Sequence, residues 1–264
     1  MTSHAASLRP ARTAVAVIAA LGAGVLLAGC SSDGGSLGSA LGDGPQKTLT
    51  ADATVTEAVS AVEVTGARAG SIEINPGSGP GVTVHRTVHY REDAAPTPGQ
   101  KVTGGVLTFS NGCSDTCYID YRLEVPASAT VRLESGSGRI SVTGVAAAEV
   151  TAGSGAVKAD RIAGPLTVRT SSGAITASGL GGPSADVHSD AGDARLDFAK
   201  VPASVLVDTT SGNVTLKVPQ APYRLEVSTS SGARDVSLPS DPAAASRLTV
   251  KTTSGDVRVS ALGG

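Results

Sequence analysis

Seven glycines recur at nearly even intervals along the second half of the chain: Gly138, Gly155, Gly173, Gly192, Gly212, Gly232 and Gly255. The steps between them are 17, 18, 19, 20, 20 and 23 residues. Aligning the segments on that glycine produces columns. Five residues before it stand Leu133, Val150, Val168, Val187, Val207, Val227 and Val250, and seven before it Val131, Ala148, Leu166, Ala185, Val205, Leu225 and Leu248. The third position before it is small: Ser135, Ala152, Thr170, Ser189, Thr209, Thr229 and Thr252. After the glycine, apolar residues return at the second and fourth positions, as in Ile140 and Val142, Val157 and Ala159, Ile175 and Ala177, Val257 and Val259. The unit around Gly232 departs, with Arg234 in an apolar slot and Val236 and Leu238 resuming the pattern one pleat later.

Alternation with period two on both sides of a small corner means two short strands per unit, each with one buried face. If each coil stacks on the last, like residues lie above one another about 4.8 Å apart. A single coil cannot bury enough apolar surface to hold itself, so several are required. The expected fold is therefore all-β, a right-handed parallel β-solenoid of about seven or more coils. An antiparallel meander with Ser-Gly hairpins is the alternative, although tight hairpins favour Asn-Gly, Asp-Gly or a leading glycine. Apolar residues make up 40% of the chain and aromatics 2%, a core of Val, Ile, Leu and Ala that suits thin β layers.

Upstream of the repeat the pattern is already strand-like. Val62-Glu63-Val64, Ile72-Glu73-Ile74, Val82-Thr83-Val84, Val106-Leu107-Thr108-Phe109 and Tyr121-Arg122-Leu123-Glu124-Val125 read as extended. Asn75-Pro76-Gly77 and the stretch 94–99 read as breaks.

The first thirty residues form an address. Arg9 and Arg12 precede an apolar run from Ala14 to Leu27, too short for a membrane-spanning helix and suited to a signal peptide. No Arg-Arg pair is present, so general secretion is expected. Leu27-Ala28-Gly29-Cys30 resembles the lipobox of bacterial lipoproteins, which implies diacylation of Cys30 and anchoring at the extracytoplasmic face of the cell membrane. An ordinary signal peptide with an incidental cysteine is the alternative. Acylation of Cys30 leaves Cys113 and Cys117 as a pair, whose Cys-Ser-Asp-Thr-Cys spacing suits a small structural disulfide loop in an oxidising compartment. A catalytic redox pair is more often Cys-x-x-Cys, and a metal site needs further ligands nearby. The expected organisation is a signal peptide over 1–29, the acylated cysteine and a flexible linker over 30–52, an N-terminal β region over 53–128 continuous with the solenoid, and the repeat over 129–264.

Thr170-Ser171-Ser172-Gly173-Ala174-Ile175, Thr209-Thr210-Ser211-Gly212-Asn213-Val214 and Thr252-Thr253-Ser254-Gly255-Asp256-Val257, with the Val125-Pro126 step and the early Val-x-Val strands, carry a resemblance. They are similar to the bacterial "putative adhesin" domain family of unknown function, over about residues 59–259. The resemblance implies a β-solenoid ectodomain on the envelope surface and transfers no catalytic residues.

Chemistry is sparse. The outward column four residues before each glycine reads Glu134, Thr151, Arg169, His188, Asp208, Ser228 and Lys251. Arg169, His188 and Asp208 could stand on consecutive coils as an acid–base cluster, or as a solvated face with offset charges. His85 and His89 both point outward on their strand, roughly 13 Å apart, too far for one zinc ion. Serine nucleophile elbows, calcium nonapeptides and phosphate loops are absent, and Tyr90, Phe109, Tyr118, Tyr121, Phe198 and Tyr223 look scattered. The formal charge of −2 gives nucleic acid nothing to bind. The reading is a non-enzymatic lipoprotein without cofactors, held to the membrane by its lipid, whose solenoid binds or scaffolds an envelope protein or glycan. An accessory of envelope-stress signalling, or a polysaccharide-processing enzyme using Arg169, His188 and Asp208, are the alternatives.

Overall fold

A computed structural model of the chain describes residues 45–110, 112, 113 and 117–263. The expected acylation site, Cys30, and the leader before it lie outside the described residues. Among those residues every regular element is a strand, 21 in all. The first seven are β1 (Lys47–Val55), β2 (Ala61–Ala67), β3 (Ile72–Gly77), β4 (Val82–Tyr90), β5 (Gly99–Thr103), β6 (Val106–Ser110) and β7 (Tyr118–Pro126). The repeat supplies β8 (Thr130–Ser135), β9 (Ile140–Thr143), β10 (Ala147–Ala152), β11 (Val157–Asp160), β12 (Leu166–Thr170), β13 (Ile175–Leu180) and β14 (Ser184–Ala191). It continues with β15 (Ala194–Phe198), β16 (Ser204–Ser211), β17 (Val214–Val218), β18 (Arg224–Ser231), β19 (Arg234–Val236), β20 (Arg247–Ser254) and β21 (Val257–Ala261).

These strands form an 11-stranded and a 10-stranded sheet. Each glycine-centred unit places one strand in each sheet, and units meet in parallel: Val150 stands beside Leu133 and Val168, Val157 beside Ile140 and Ile175. The solenoid reading is therefore correct and the meander is not. Val, Ile, Leu and Ala from the inward positions of both sheets make one continuous core. Antiparallel pairing is confined to the N-terminal end, where β4 lies between β1 and β7 and β5 lies beside β6. Two boundaries differ from expectation. β1 starts at Lys47, inside the segment 30–52 expected to be linker, because its Leu49-x-Ala51-x-Ala53-x-Val55 alternation is half alanine and weak. β3 runs through Pro76 to Gly77, since β9 pairs with it only as far as Ile74 and the missing N–H breaks no ladder on that side.

Rungs do not follow one another in chain order at either end. The C-terminal rung, β20 and β21, is inserted between β16/β17 and β18/β19. At the other end β2/β3 is inserted between β6/β7 and β8/β9. The expectation that each coil stacks on the previous one is corrected here, and at the C-terminal end the anomalous unit around Gly232 supplies the reason. Arg234 stands beside Val257 in the column that Val214 and Ile175 fill as buried residues. Buried between two rungs, its guanidinium would lack a partner at a cost of several kcal/mol. On the last rung it is exposed, and β19 is only three residues long.

The glycine column is a steric requirement. A Cβ on Gly155 would collide with the carbonyl oxygen of Gly138, one on Gly173 with that of Gly155, and one on Gly212 with that of Gly192. The same contact joins Gly255 to Gly212 and Gly232 to Gly255, reproducing the inserted order. Gly138 in turn lies on the carbonyl of Gly70, a member of the column hidden in the sequence by the intervening strands β4 to β7. Two kinds of corner occur. In the tight kind the N–H of Gly138 donates to Ser135 Oγ at 3.0 Å and that of Gly173 to Thr170 Oγ1 at 3.0 Å. In the wide kind φ is +140° to +150° at Gly192, Gly212, Gly232 and Gly255. There, side chains after the glycine link rungs: the N–H of Asn213 donates to Asp193 at 2.9 Å, Asp256 to Asn213 at 2.9 Å and Ala233 to Asp256 at 2.7 Å.

The N-terminal end is closed differently. Arg86 points inward from β4, 7% exposed, directly opposite Tyr121 of β7. Its guanidinium donates to the Pro98 carbonyl at 3.2 Å and to Gln100 Oε1 at 2.8 Å. Phe109 meets Tyr121 edge to face, with centroids 5.2 Å apart. Burial depresses the Arg86 pKa and pushes the Tyr121 hydroxyl above its ordinary value, with Arg86 opposing the latter in part.

Three outcomes follow from this architecture. Gly173→Ala should lower stability by about 1–3 kcal/mol through overpacking, whereas Gly79→Ala, with open space around it, should be neutral or slightly stabilising; urea midpoints compare them. Val257→Arg should cost at least about 3 kcal/mol, and Arg234→Ala within about 0.5 kcal/mol of nothing, on the same assay. Because the folded state favours the protonated Tyr121, its contribution is complete below pH ~10 and is lost as pH rises through the folded value. Tyr121→Phe should therefore flatten the alkaline loss of stability, measured as urea midpoints across that range.

Candidate binding face

Arg169, His188 and Asp208 project from the outer face of the 10-stranded sheet because period-two alternation turns Val168, Val187 and Val207 inward beside them. Parallel register sets the three on successive rungs: Arg169 opposite His188, and His188 opposite Asp208. The next member is Lys251, opposite Asp208, and Ser228 follows only at the edge. That is the order imposed by the inserted rung, and it corrects the column as read along the chain.

The column crosses the step where tight corners give way to wide ones. β12 stops at Thr170, while β14 and β16 run on to Ala191 and Ser211. The longer strands raise a ledge, leaving a shallow depression of about 410 Å³ lined by Arg169, Ser171, His188, Asp190, Asp208 and Thr210. Within it the expected partnership does not form. His188 Nε2 lies 2.8 Å from Asp186 Oδ1 on its own strand, two residues away and on the same face. Among the described residues, Arg169, Asp208 and Lys251 have no side-chain partner. The carboxylate beside the imidazole is legible as Asp186-x-His188 along one strand, whereas the rung-to-rung column does not contain it. Both side chains of that pair are about two-fifths exposed, so the depression neither excludes water nor desolvates its charges.

On the 11-stranded sheet, charges pair along the outer columns near the N-terminal end. His85 Nδ1 lies 2.8 Å from Asp52, and Arg122 donates to Glu73 at 3.0 Å. A hydrogen bond from Asn75, reinforced by Arg122 and opposed by partial burial, holds the Glu73 carboxyl below its usual range. His89 Nε2 is 3.0 Å from Asp120 Oδ2, and its ring stacks on Tyr118 with centroids 4.4 Å apart. Both histidines point outward, as the alternation of β4 requires, and each has its own carboxylate. Asp120 also accepts from the Ser71 N–H and hydroxyl, at 2.6 and 2.7 Å.

Cys113 and Cys117 lie at the start of β7 with Cα atoms 5.3 Å apart, a separation a disulfide spans. They border an apolar cleft with Phe109, Tyr118 and Tyr121. The aromatic side chains that look scattered in the sequence are thus partly collected, because β4, β6 and β7 converge on one end of the stack. Phe198 and Tyr223 are buried elsewhere, and the Tyr223 hydroxyl, raised in pKa by burial, donates to the Pro219 carbonyl at 2.8 Å.

Several solved structures resemble this one. A "putative adhesin" from Bacteroides fragilis shares 12% identity over 82% of this chain and 97% of its own, with a TM-score of 0.48. A "putative adhesin" from Parabacteroides merdae shares 12% over 82% and 96%, with a TM-score of 0.43. A "putative cell adhesion protein" from Clostridium sporogenes shares 12% over 81% and 100%, with a TM-score of 0.39. No curated protein matches the sequence. The family model described as Toastrack DUF4097 matches residues 101–261, more than half of the chain, spanning β6 to β21 and the ladder from Gly138 to Gly255. By that match the chain belongs to the Toastrack DUF4097 family.

Proposed function

We propose that this chain is an extracytoplasmic lipoprotein, acylated on Cys30, whose solenoid acts as a non-catalytic binding or scaffolding domain at the cell membrane. The carrying observation is Leu27-Ala28-Gly29-Cys30, standing just ahead of a stack whose charged outer columns lie open to solvent. Two acyl chains give the double hydrophobic signal that stable anchoring needs, at ~0.8 kcal/mol per buried methylene. A Cys113–Cys117 bond, formed in the oxidising compartment such an anchor implies, ties the start of β7 to the loop before it. The solenoid contributes rigidity: its rungs hold outward side chains at a fixed pitch of ~4.8 Å, useful for presenting a repeated polar surface.

A glycan-processing role through Arg169, His188 and Asp208 fits the geometry less well. General acid–base work calls for groups that share a substrate atom in a site shielded from water. Here His188 turns to Asp186, and the depression is shallow and open to solvent. Binding of an envelope protein, including one that senses envelope stress, asks only for the exposed columns.

Fractionation of cells expressing the full chain tests the anchor. The wild type should sediment with membranes and incorporate a labelled fatty acid, and Cys30→Ser should lose the label and leave the membrane pellet. A labelled, membrane-bound Cys30→Ser protein would overturn the assignment.

A further inference from the structure

We propose that the rung β18/β19 is a separable cap. The internal segment 219–246 lifts off the end of the stack as one unit, while β20 and β21, although last in the chain, stay in place. The cap goes beyond the anchored-binding reading and does not depend on it.

Two observations set this rung apart. It is laddered on one side only, β18 to β20 and β19 to β21, whereas β20 and β21 have neighbours on both sides. Its inward column is also interrupted. Leu225, Val227 and Val236 are only half-buried, and Arg234 stands exposed in the slot that Val257 and Val214 fill as buried residues. In the rung beneath, Leu248, Val250, Val257 and Val259 are all buried.

The segment is nonetheless closed on itself. Its two connections are joined where the N–H of Asp241 donates to the Tyr223 carbonyl at 2.8 Å and the Arg224 guanidinium donates twice to the Pro242 carbonyl, at 3.0 and 2.7 Å. Within 219–246 only Tyr223 and Leu238, which flank β18 and β19, are buried. The ion pair that ties it to β21, Arg258 with Asp235 at 3.1 Å, is largely exposed and contributes little.

In a stacked repeat each unit is held by its neighbours, so an end rung opens by losing one interface where an inner rung must lose two. The missing burial of one aliphatic at position 234 raises the opening constant by a further factor of about ten or more. On release, the freed residues regain backbone freedom, and β17 and β20 remain joined by a loop whose closure entropy grows only slowly with length. Fraying ordinarily begins at a chain terminus. Here the inserted order puts the C-terminal strands inside and an internal segment outside, which moves the fraying to 219–246. Opening uncovers the full edge of β20 and β21, with unpaired backbone and buried aliphatics at its margin.

Residue-resolved hydrogen exchange on the whole purified chain tests the cap. The amides of Glu226 and Ser228 face β20, by alternation from Arg224, whose N–H donates to the Ser246 carbonyl. Those of Thr249 and Lys251 face β16, by alternation from Arg247, whose N–H donates to the Ala203 carbonyl. After correction for intrinsic rates, the first pair should exchange about tenfold or more faster than the second. Leu238→Ala should speed the first pair alone. Trypsin should make its first cut beyond residue 130 after Arg224 or Arg234, and the C-terminal piece should co-elute with the remainder on gel filtration until urea is added. Equal exchange in the two pairs overturns the cap, as does a first cut outside 219–246 or a C-terminal piece that separates in native buffer. Should Leu238→Ala fail to fold, the wild-type comparison decides alone.

Discussion

From Gly70 to Gly232, each rung of the repeat lies close enough to its neighbour that the corner glycine presses on the carbonyl of the glycine below. No side chain fits there, so the column admits glycine alone, and that single contact sets the register of everything that follows it. Once the corners are aligned, inward valines and leucines of successive rungs fall into continuous rows, and the outward residues are sorted into columns. A parallel ladder satisfies the backbone and a small hydroxyl or carboxamide secures the corner. Tight corners do this within one rung, through Ser135 or Thr170. Wide ones do it between rungs, through the chain of bonds from Asp193 to Asn213 to Asp256.

A repeat whose units are mutually compatible can stack in more than one order. What selects among the orders is the fate of the rungs at the ends, each of which has one side without a neighbour. The C-terminal edge of the stack carries an arginine where the pattern calls for an apolar residue: Arg234 reaches solvent from the last rung. Arg86, inside the sheet between β1 and β7, is instead enclosed by Pro98, Gln100 and Tyr121. Inward-pointing charge at a sheet edge discourages a further strand from adding, one of the ways exposed β edges are kept from aggregating. The rung most complete in apolar residues at the C-terminal end, β20 with β21, takes the inner place although it comes last in the chain.

For function, the two sheets and the two ends of the stack differ in kind. The outer faces are polar, pitched at the rung spacing, and mostly solvated, with histidines matched to carboxylates and a shallow ledge where corner types meet. The aromatic rings that reach solvent, Tyr90, Phe109 and Tyr118, gather instead at the end where β1 begins, while the exposed large aliphatics Leu49, Val201 and Leu262 are spread along the stack.

The periodic columns favoured parallel stacking over a meander and fixed the inward rows and the outward direction of Arg169, His188 and Asp208, because alternation and spacing are local properties that stacking merely repeats. Chain order, by contrast, could not reveal rung order: at the C-terminal end sequential and inserted arrangements present the same inward registers, and the inserted one leaves Arg234 exposed and sets Lys251 rather than Ser228 beside Asp208. The pairing of His188 with Asp186 depended on side-chain direction along one strand, and the gathering of Tyr90, Phe109 and Tyr118 on strands β4, β6 and β7 meeting at one end. Those were settled in three dimensions, where the desolvation of a few charged and aromatic groups decides between arrangements that the backbone ladder treats as equal.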